Sequence, residues 1–253
     1  MNKATFAVAL SLFCLTLSAV NVFMAGDSTM ATYPDKSKPM AGWGEVMQLF
    51  AKENVTVYNK AVGGRSSKSF RDEGRWAWIM ARVKKGDFVV IQFGHNDASR
   101  GEKYLYRFAD PEKAFPENMR NYIRDVKAKG AFPVIVPLTA VCRYNDKAVA
   151  FNSKTQQAYA DAARRVAQEE GAAFIDLNSW MLRELTRIGK AKAEELVFMH
   201  LPKDKYPAYP NGRKDNTHLK YTGAMMVAQA VIQMAKDAKM PFGELFNSTP
   251  ATK

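Results

Sequence analysis

Cysteine is almost absent: the chain has two, Cys14 and Cys142. Cys14 falls in an apolar stretch expected to be removed, which leaves Cys142 alone and excludes an internal disulfide. A lone Cys142 beside a strand reads as a small core hydrophobe. Histidine numbers only three, and no His-x-x-x-His pair occurs, which argues against a metal-dependent hydrolase. Gly-x-Ser-x-Gly is missing as well, which excludes the usual strand–turn–helix nucleophile elbow. There is no internal repeat, low-complexity tract or Gly/Ser linker, so a single domain is expected. Nucleic-acid-binding motifs are also lacking, so no nucleic-acid partner is expected.

What is present fits a globular α/β protein. The 253 residues are 47% hydrophobic and 25% charged, with a formal net charge of +12. A surface this basic favours anionic partners, an acidic polymer among them. The N-terminus carries Lys3 followed by an apolar run from Ala4 to Leu17, then Ser18 and Ala19. This is the pattern of an export signal over residues 1–19, with a single domain over 20–253. A secreted or periplasmic monomer follows as the expectation, with no stable membrane insertion once the signal is cleaved.

Short apolar, β-branched runs recur at Val22–Met24, Val55–Tyr58, Phe88–Gln92, Pro133–Val136 and Ala173–Ile175. Continuous runs of this kind suit strands buried on both faces of a parallel sheet. Helical spacing lies between them. Met119, Tyr122, Ile123 and Val126 end at Gly130; Tyr159, Ala162 and Val166 start at Asn152 or Ser153 and stop at Gly171; Val227, Val231 and Met234 follow Thr222. The alternation predicts a three-layer α/β/α sandwich with a five-stranded parallel sheet in the flavodoxin-like order 2-1-3-4-5.

In such sheets ligands bind where the strands end at their carboxyl side. Polar loops follow the first three strands: Gly26-Asp27-Ser28, then "NKAVGGRSS" (Asn59 to Ser67), then "FGHND" (Phe93 to Asp97). A fourth segment, "DNTHLKYTGA", places Asp215 and His218 three apart in one turn-like loop before the last helix. A serine hydroxyl needs a base to attack a carbonyl, and the base needs an orienting carboxylate. Ser28, His218 and Asp215 supply these three types. The backbone N–H groups of Ser28 and Gly64 and the amide of Asn96 are candidate donors to an oxyanion.

These four blocks, in this order, resemble the SGNH (GDSL-type) hydrolase superfamily. The details "GDSTMA", "AVGGRSSKSF", "IQFGHNDAS" and "KDNTHLKYTGA" are similar to its rhamnogalacturonan acetylesterase branch. The four letters of the superfamily fall on Ser28, Gly64, Asn96 and His218, with Asp215 completing the triad. The resemblance implies a metal-independent serine esterase without cofactors, taking acetyl groups from an acidic pectic polysaccharide through an acyl-enzyme.

Other residues carry two readings. Arg65, next to Gly64, either binds a uronate carboxylate at the site rim or is a solvated charge. His95 lines the site or fills its loop. His200 is placed with the substrate-binding residues, in a Pro-rich loop of about twenty residues, a length that is usually functional or disordered. Tyr206 and Tyr209 in that loop stack on sugar rings or pack turns. Asp27 and Asp97 are expected to brace loops by hydrogen bonds to backbone. Three competing functions are a GDSL-type lipase, lysophospholipase or general carboxylesterase with the same triad, a metal site built from His95, Asp97, Asp215 and His218, and a non-catalytic carbohydrate-binding protein.

Overall fold

The computed structural model describes residues 19–251. The expected signal, residues 1–19, lies outside them except for its last residue. Among the described residues no helix is long and apolar enough to cross a membrane.

Among the described residues, nine strands and seven α-helices occur in this order: β1 (Val20–Gly26), α1 (Trp43–Val46), β2 (Val55–Asn59), α2 (Ser69–Asp72), α3 (Arg75–Met80), β3 (Phe88–Gln92), α4 (Ala114–Ala128), β4 (Phe132–Ile135), β5 (Tyr144–Asn145), β6 (Ala150–Phe151), α5 (Lys154–Glu169), β7 (Ala173–Phe174), α6 (Leu177–Lys192), β8 (Phe198–Leu201), β9 (Arg213–Leu219) and α7 (Tyr221–Asp237). The central sheet is parallel throughout, in the order β2-β1-β3-β4-β7. The small β5–β6 hairpin is inserted before the fifth sheet strand, so this is the expected 2-1-3-4-5 order counted by sheet strand alone.

The period-2 alternation of strand side chains divides the core into two halves. Val22 and Met24 of β1, Phe88 and Val90 of β3 and Val134 of β4 pack with α1, α6 and α7. Phe23, Ala25, Val89, Ile91 and Ile135 point the other way, onto α3, α4 and α5. Every residue of β3 is buried, as a strand covered on both faces requires. The helix stops read from the sequence are left-handed glycines: Gly130 has φ +68° and Gly171 φ +57°.

The segment before α7 departs from expectation. It is not one long loop but a two-stranded antiparallel ribbon, β8 with β9. Met199 pairs with Asp215, and the next pair along is Phe198 with Leu219. Asn216, Thr217 and His218 therefore have no partner across the ladder and form a bulge. The turn-like character expected around Asp215 and His218 survives inside this bulge.

Candidate active site

Ser28 stands at the carboxyl end of β1, in a turn organised by Asp27. The Asp27 Oδ1 accepts from the Thr29 backbone N–H at 2.9 Å and from the Thr29 hydroxyl at 2.8 Å. The Asp27 carbonyl accepts from the N–H groups of Met30 and Ala31. The Tyr33 hydroxyl donates to the Ser28 carbonyl at 2.8 Å. Burial, followed by the nearby Asp27 charge, holds Tyr33 above its ordinary pKa, so it remains a neutral donor.

The second loop is tied to the first by the Val62 N–H, which donates to the Gly26 carbonyl at 3.0 Å. Gly64 has φ +80°, a backbone conformation that L side chains rarely adopt. A Cβ on Gly63 would lie 3.5 Å from that of Ser28, so this glycine pair runs directly beside the serine. No hydrogen bond among the described residues uses the backbone N–H of Ser28 or of Gly64.

The third loop is fixed by Asp97, which is fully buried. Its carboxylate accepts from the Ser67 backbone N–H at 3.0 Å, from the Ser67 hydroxyl, and from the Gly94 N–H at 3.0 Å. One side chain thus locks the second loop to the third. Burial pushes Asp97 up to about 7, against the opposing pull of the Ser67 bonds. Because its folded value lies above the ordinary one, Asp97 favours the fold most at low pH, and that contribution is lost as pH rises through about 7. Asp97→Ala leaves buried donors unpaired, each costing about 1–3 kcal/mol. Urea unfolding of this variant is expected to show a loss of about 2–4 kcal/mol. Unchanged stability would mean that the loops are held by other contacts.

Asn96 lies one residue before this brace, and its Nδ2 donates to the Arg65 carbonyl at 3.0 Å. That bond uses one of the two amide protons and leaves the other. The Nε2 of His95 is 3.0 Å from the Thr139 hydroxyl. Burial lowers its pKa, so the ring is held neutral.

On β9, the Asp215 Oδ1 accepts from the N–H groups of Thr217 and His218 at 2.9 and 3.0 Å. Its Oδ2 is 2.7 Å from the His218 Nδ1. Burial alone would raise the Asp215 carboxyl. The His218 ring and the two backbone donors outweigh it and hold Asp215 far below the ordinary carboxylate range. A carboxylate can only accept, so the His218 proton sits on Nδ1 and Nε2 is left free as a base.

Ser28, Gly64, His95, Asn96, Asp215 and His218 all line one cleft of about 790 Å³. It holds a hydroxyl, an imidazole oriented by a carboxylate, and unspent N–H donors beside the hydroxyl. That set can carry out acyl transfer.

Two expected substrate residues are not in this cleft. Arg65 is committed elsewhere: its Nε donates to Glu73 at 3.0 Å and its Nη1 to the Gly63 carbonyl at 2.8 Å. His200 on β8 lines a separate cavity with Glu194, Tyr206 and Lys220. Its Nε2 lies 2.6 Å from the Oδ1 of Asn216, which does line the cleft. Nor are the four candidate metal ligands gathered. Asp97 is turned to Ser67 and Gly94, and no group of three or more His, Cys, Asp or Glu able to hold a metal ion occurs among the described residues.

Sequence reading missed Arg143, Gln156 and Asn216, which line the cleft, and the site role of Tyr33. Arg143 follows β4 and precedes the β5–β6 hairpin, where no motif points to it. Arg213 also lines the cleft and donates to Asp215.

Sequence comparison gives the class of protein that this fold and cleft belong to, a family of hydrolases. The GDSL-like Lipase/Acylhydrolase family model matches residues 24–201, and the chain belongs to that family. Its class of reaction is carboxylic ester hydrolysis. It is 34% identical over 223 residues to rhamnogalacturonan acetylesterase RhgT of Bacillus subtilis, covering 88% of this chain and 92% of that one. It is 27% identical to the rhamnogalacturonan acetylesterase of Emericella nidulans, covering 90% of each. Among solved structures, protein YxiM of Bacillus subtilis superposes with a TM-score of 0.74 at 26% identity, over 88% of this chain and 58% of that one. The acetylxylan esterase Axe2 of Geobacillus stearothermophilus shares the fold, with a TM-score of 0.61 at 16% identity over 86% of this chain and 94% of that one.

Proposed function

We propose that the chain removes acetyl groups from an acidic plant polysaccharide of the rhamnogalacturonan or pectin type, and that it acts as a serine esterase outside the cytoplasm. The observation that carries the chemistry is the 2.7 Å bond between His218 Nδ1 and Asp215, in the same cleft as Ser28. The Ser28 Oγ attacks the acetyl carbonyl carbon while His218 Nε2 takes its proton. The oxyanion is received by the N–H groups of Ser28 and Gly64 and the free amide proton of Asn96. Collapse of this intermediate breaks the ester bond. His218 returns the proton to the departing sugar oxygen, leaving acetyl-Ser28. A water deprotonated by His218 then attacks the acetyl group, releasing acetate and restoring the serine.

The substrate class is supported by the relatives and by the charges at the cleft. Arg143 lines the cleft with no ion pair among the described residues. Its guanidinium is free for a carboxylate. Lys203, Lys205 and Lys214 are exposed on the adjoining ribbon. Lys220, at the end of the same segment, is buried and donates to the carbonyls of Glu194 and Glu195. Of the two tyrosines read either as sugar platforms or as turn-packing residues, Tyr209 makes a packing contact, donating to the Ser37 carbonyl at 3.0 Å.

Acetate release from acetylated pectin, acetylated xylan and long-chain esters tests the assignment. Preference for the pectin supports it, and preference for a long-chain ester moves the enzyme to the lipase class. Exposed charges are screened over about 8–10 Å at ordinary salt. The ratio of kcat/KM on acetylated pectin to that on neutral p-nitrophenyl acetate is therefore expected to fall as salt rises. Arg143→Ala is expected to lower the same ratio several-fold at low salt, mainly through KM. Equal salt responses for the two substrates would remove the electrostatic part of the reading.

A further inference from the structure

Arg65 is the residue of the second loop whose side chain and backbone both reach the oxyanion donors. Its Nη1 donates to the Gly63 carbonyl at 2.8 Å. That carbonyl belongs to the peptide unit whose N–H is the Gly64 donor. A hydrogen bond into the oxygen of an amide fixes its plane and strengthens its N–H as a donor, because bonds in a chain polarise one another. The carbonyl of Arg65 accepts from Asn96 Nδ2 at 3.0 Å, which orients the second candidate donor. The Arg65 N–H closes the turn onto the Val62 carbonyl at 3.3 Å.

The guanidinium is itself held. Its Nε donates to Glu73 at 3.0 Å, and the same Glu73 oxygen accepts from Arg75 Nε at 2.6 Å. Only a planar fork makes the Glu73 and Gly63 bonds together; a lysine ammonium on a flexible stem lacks that geometry. A second arginine approaches from the other side: Arg107 Nη1 lies 3.3 Å from the Gly64 carbonyl. The left-handed Gly64 thus sits between two guanidinium groups, one on each neighbouring carbonyl. Arg65 is the one bonded to the peptide unit that carries the Gly64 N–H.

We propose that Arg65 is a positioning residue for the oxyanion site, holding the Gly63–Gly64 peptide through its guanidinium and the Asn96 amide through its carbonyl, rather than a ligand for the substrate's carboxylate. This rests on the serine-esterase reading above. Its effect falls on the transition state, so it appears in kcat and is the same for a neutral and an acidic substrate. The backbone half of the device survives substitution, so the loss is smaller than for removing a donor outright.

The test is steady-state kinetics on p-nitrophenyl acetate and on acetylated pectin for wild type, Arg65→Ala, Arg65→Lys and Glu73→Gln, with Ser28→Ala alongside and melting temperatures for all. For Arg65→Ala, kcat is expected to fall about 10–100-fold on both substrates with KM within about twofold. Arg65→Lys is expected to recover part of the loss, and Glu73→Gln to lose a few-fold in the same direction. Wild-type kcat on p-nitrophenyl acetate in folded Arg65→Ala overturns the proposal. So does a KM rise confined to the acidic polymer, or full rescue by lysine. A lowered melting temperature with unchanged kcat per folded molecule makes the role structural only, and also overturns it. If Arg65→Ala does not fold, an unchanged kcat in Glu73→Gln has the same consequence. An active Ser28→Ala would remove the serine-esterase reading itself. An inactive Ser28→Ala beside a fully active Arg65→Ala removes only the positioning role.

Discussion

Replacing Ser28 with alanine is expected to abolish ester hydrolysis and to leave the fold intact. The contact that holds Ser28 in place is the Tyr33 hydroxyl on its backbone carbonyl, which alanine retains, and a change of this kind usually alters stability by no more than about 0.5 kcal/mol. The turn that carries it is built from Asp27, Thr29 and Tyr33 through contacts that do not involve the Ser28 side chain. Chemically, the loss is that of the attacking atom. Members of such a set act as one unit, so Ser28→Ala, His218→Ala and the double variant should each lose about 10⁴–10⁶-fold in kcat, without multiplication of the two single effects. Steady-state hydrolysis of p-nitrophenyl acetate measures this. Mass spectrometry of wild type quenched in acid should show an acetylated protein, and Ser28→Ala should not. Full activity in Ser28→Ala, with the unaltered circular dichroism of a folded chain, would end the serine-esterase assignment.

The parts of the site legible in the sequence are those tied to strand ends. β1, β2 and β3 are apolar runs that stop at polar, glycine-bearing loops, and sheet order alone makes those loops neighbours. Ser28, Gly64, His95 and Asn96 follow from that rule with little further information. Asp215 and His218 were readable as a pair because their spacing lets the carboxylate bond both the ring and the backbone of the same turn. The ribbon around them was not readable. Arg213–Leu219 is nearly all polar, and Pro202, Pro207 and Pro210 precede it. Period-2 alternation, the usual sign of a strand, is absent. Side-chain direction was also beyond reach. Arg65 stands next to Gly64 in sequence, which suggested the site rim. The left-handed Gly64 precedes it, and its guanidinium ends on Glu73, eight residues along, and on the Gly63 carbonyl. Arg143 illustrates the opposite failure: it reaches the cleft from the connection that follows β4, with no periodicity or motif to mark it.

Asn96→Ala is expected to lower kcat by about 10²–10³-fold, equivalent to roughly 3–4 kcal/mol of transition-state stabilisation, with KM little changed. The argument begins with what holds the amide. Asn96 sits between Gly94, with φ +139°, and Asp97, whose carboxylate is bound to Ser67 and Gly94. Its own Nδ2 is anchored on the Arg65 carbonyl at 3.0 Å. A side chain tethered this way presents its remaining proton without reorganising when charge develops on the substrate oxygen, and that preorganisation is what makes a donor effective in a shielded site. The ground-state ester carbonyl is a weaker acceptor than the oxyanion, so the bond is worth more in the transition state than in the bound substrate and its loss appears in kcat. Alanine also releases the Arg65 carbonyl, which Asn96→Asp would not restore, because a carboxylate has no proton to donate and would place negative charge beside the oxyanion. Asn96→Asp should therefore be at least as inactive as Asn96→Ala despite its similar shape. A large KM increase at constant kcat in Asn96→Ala would show instead that the amide serves binding alone.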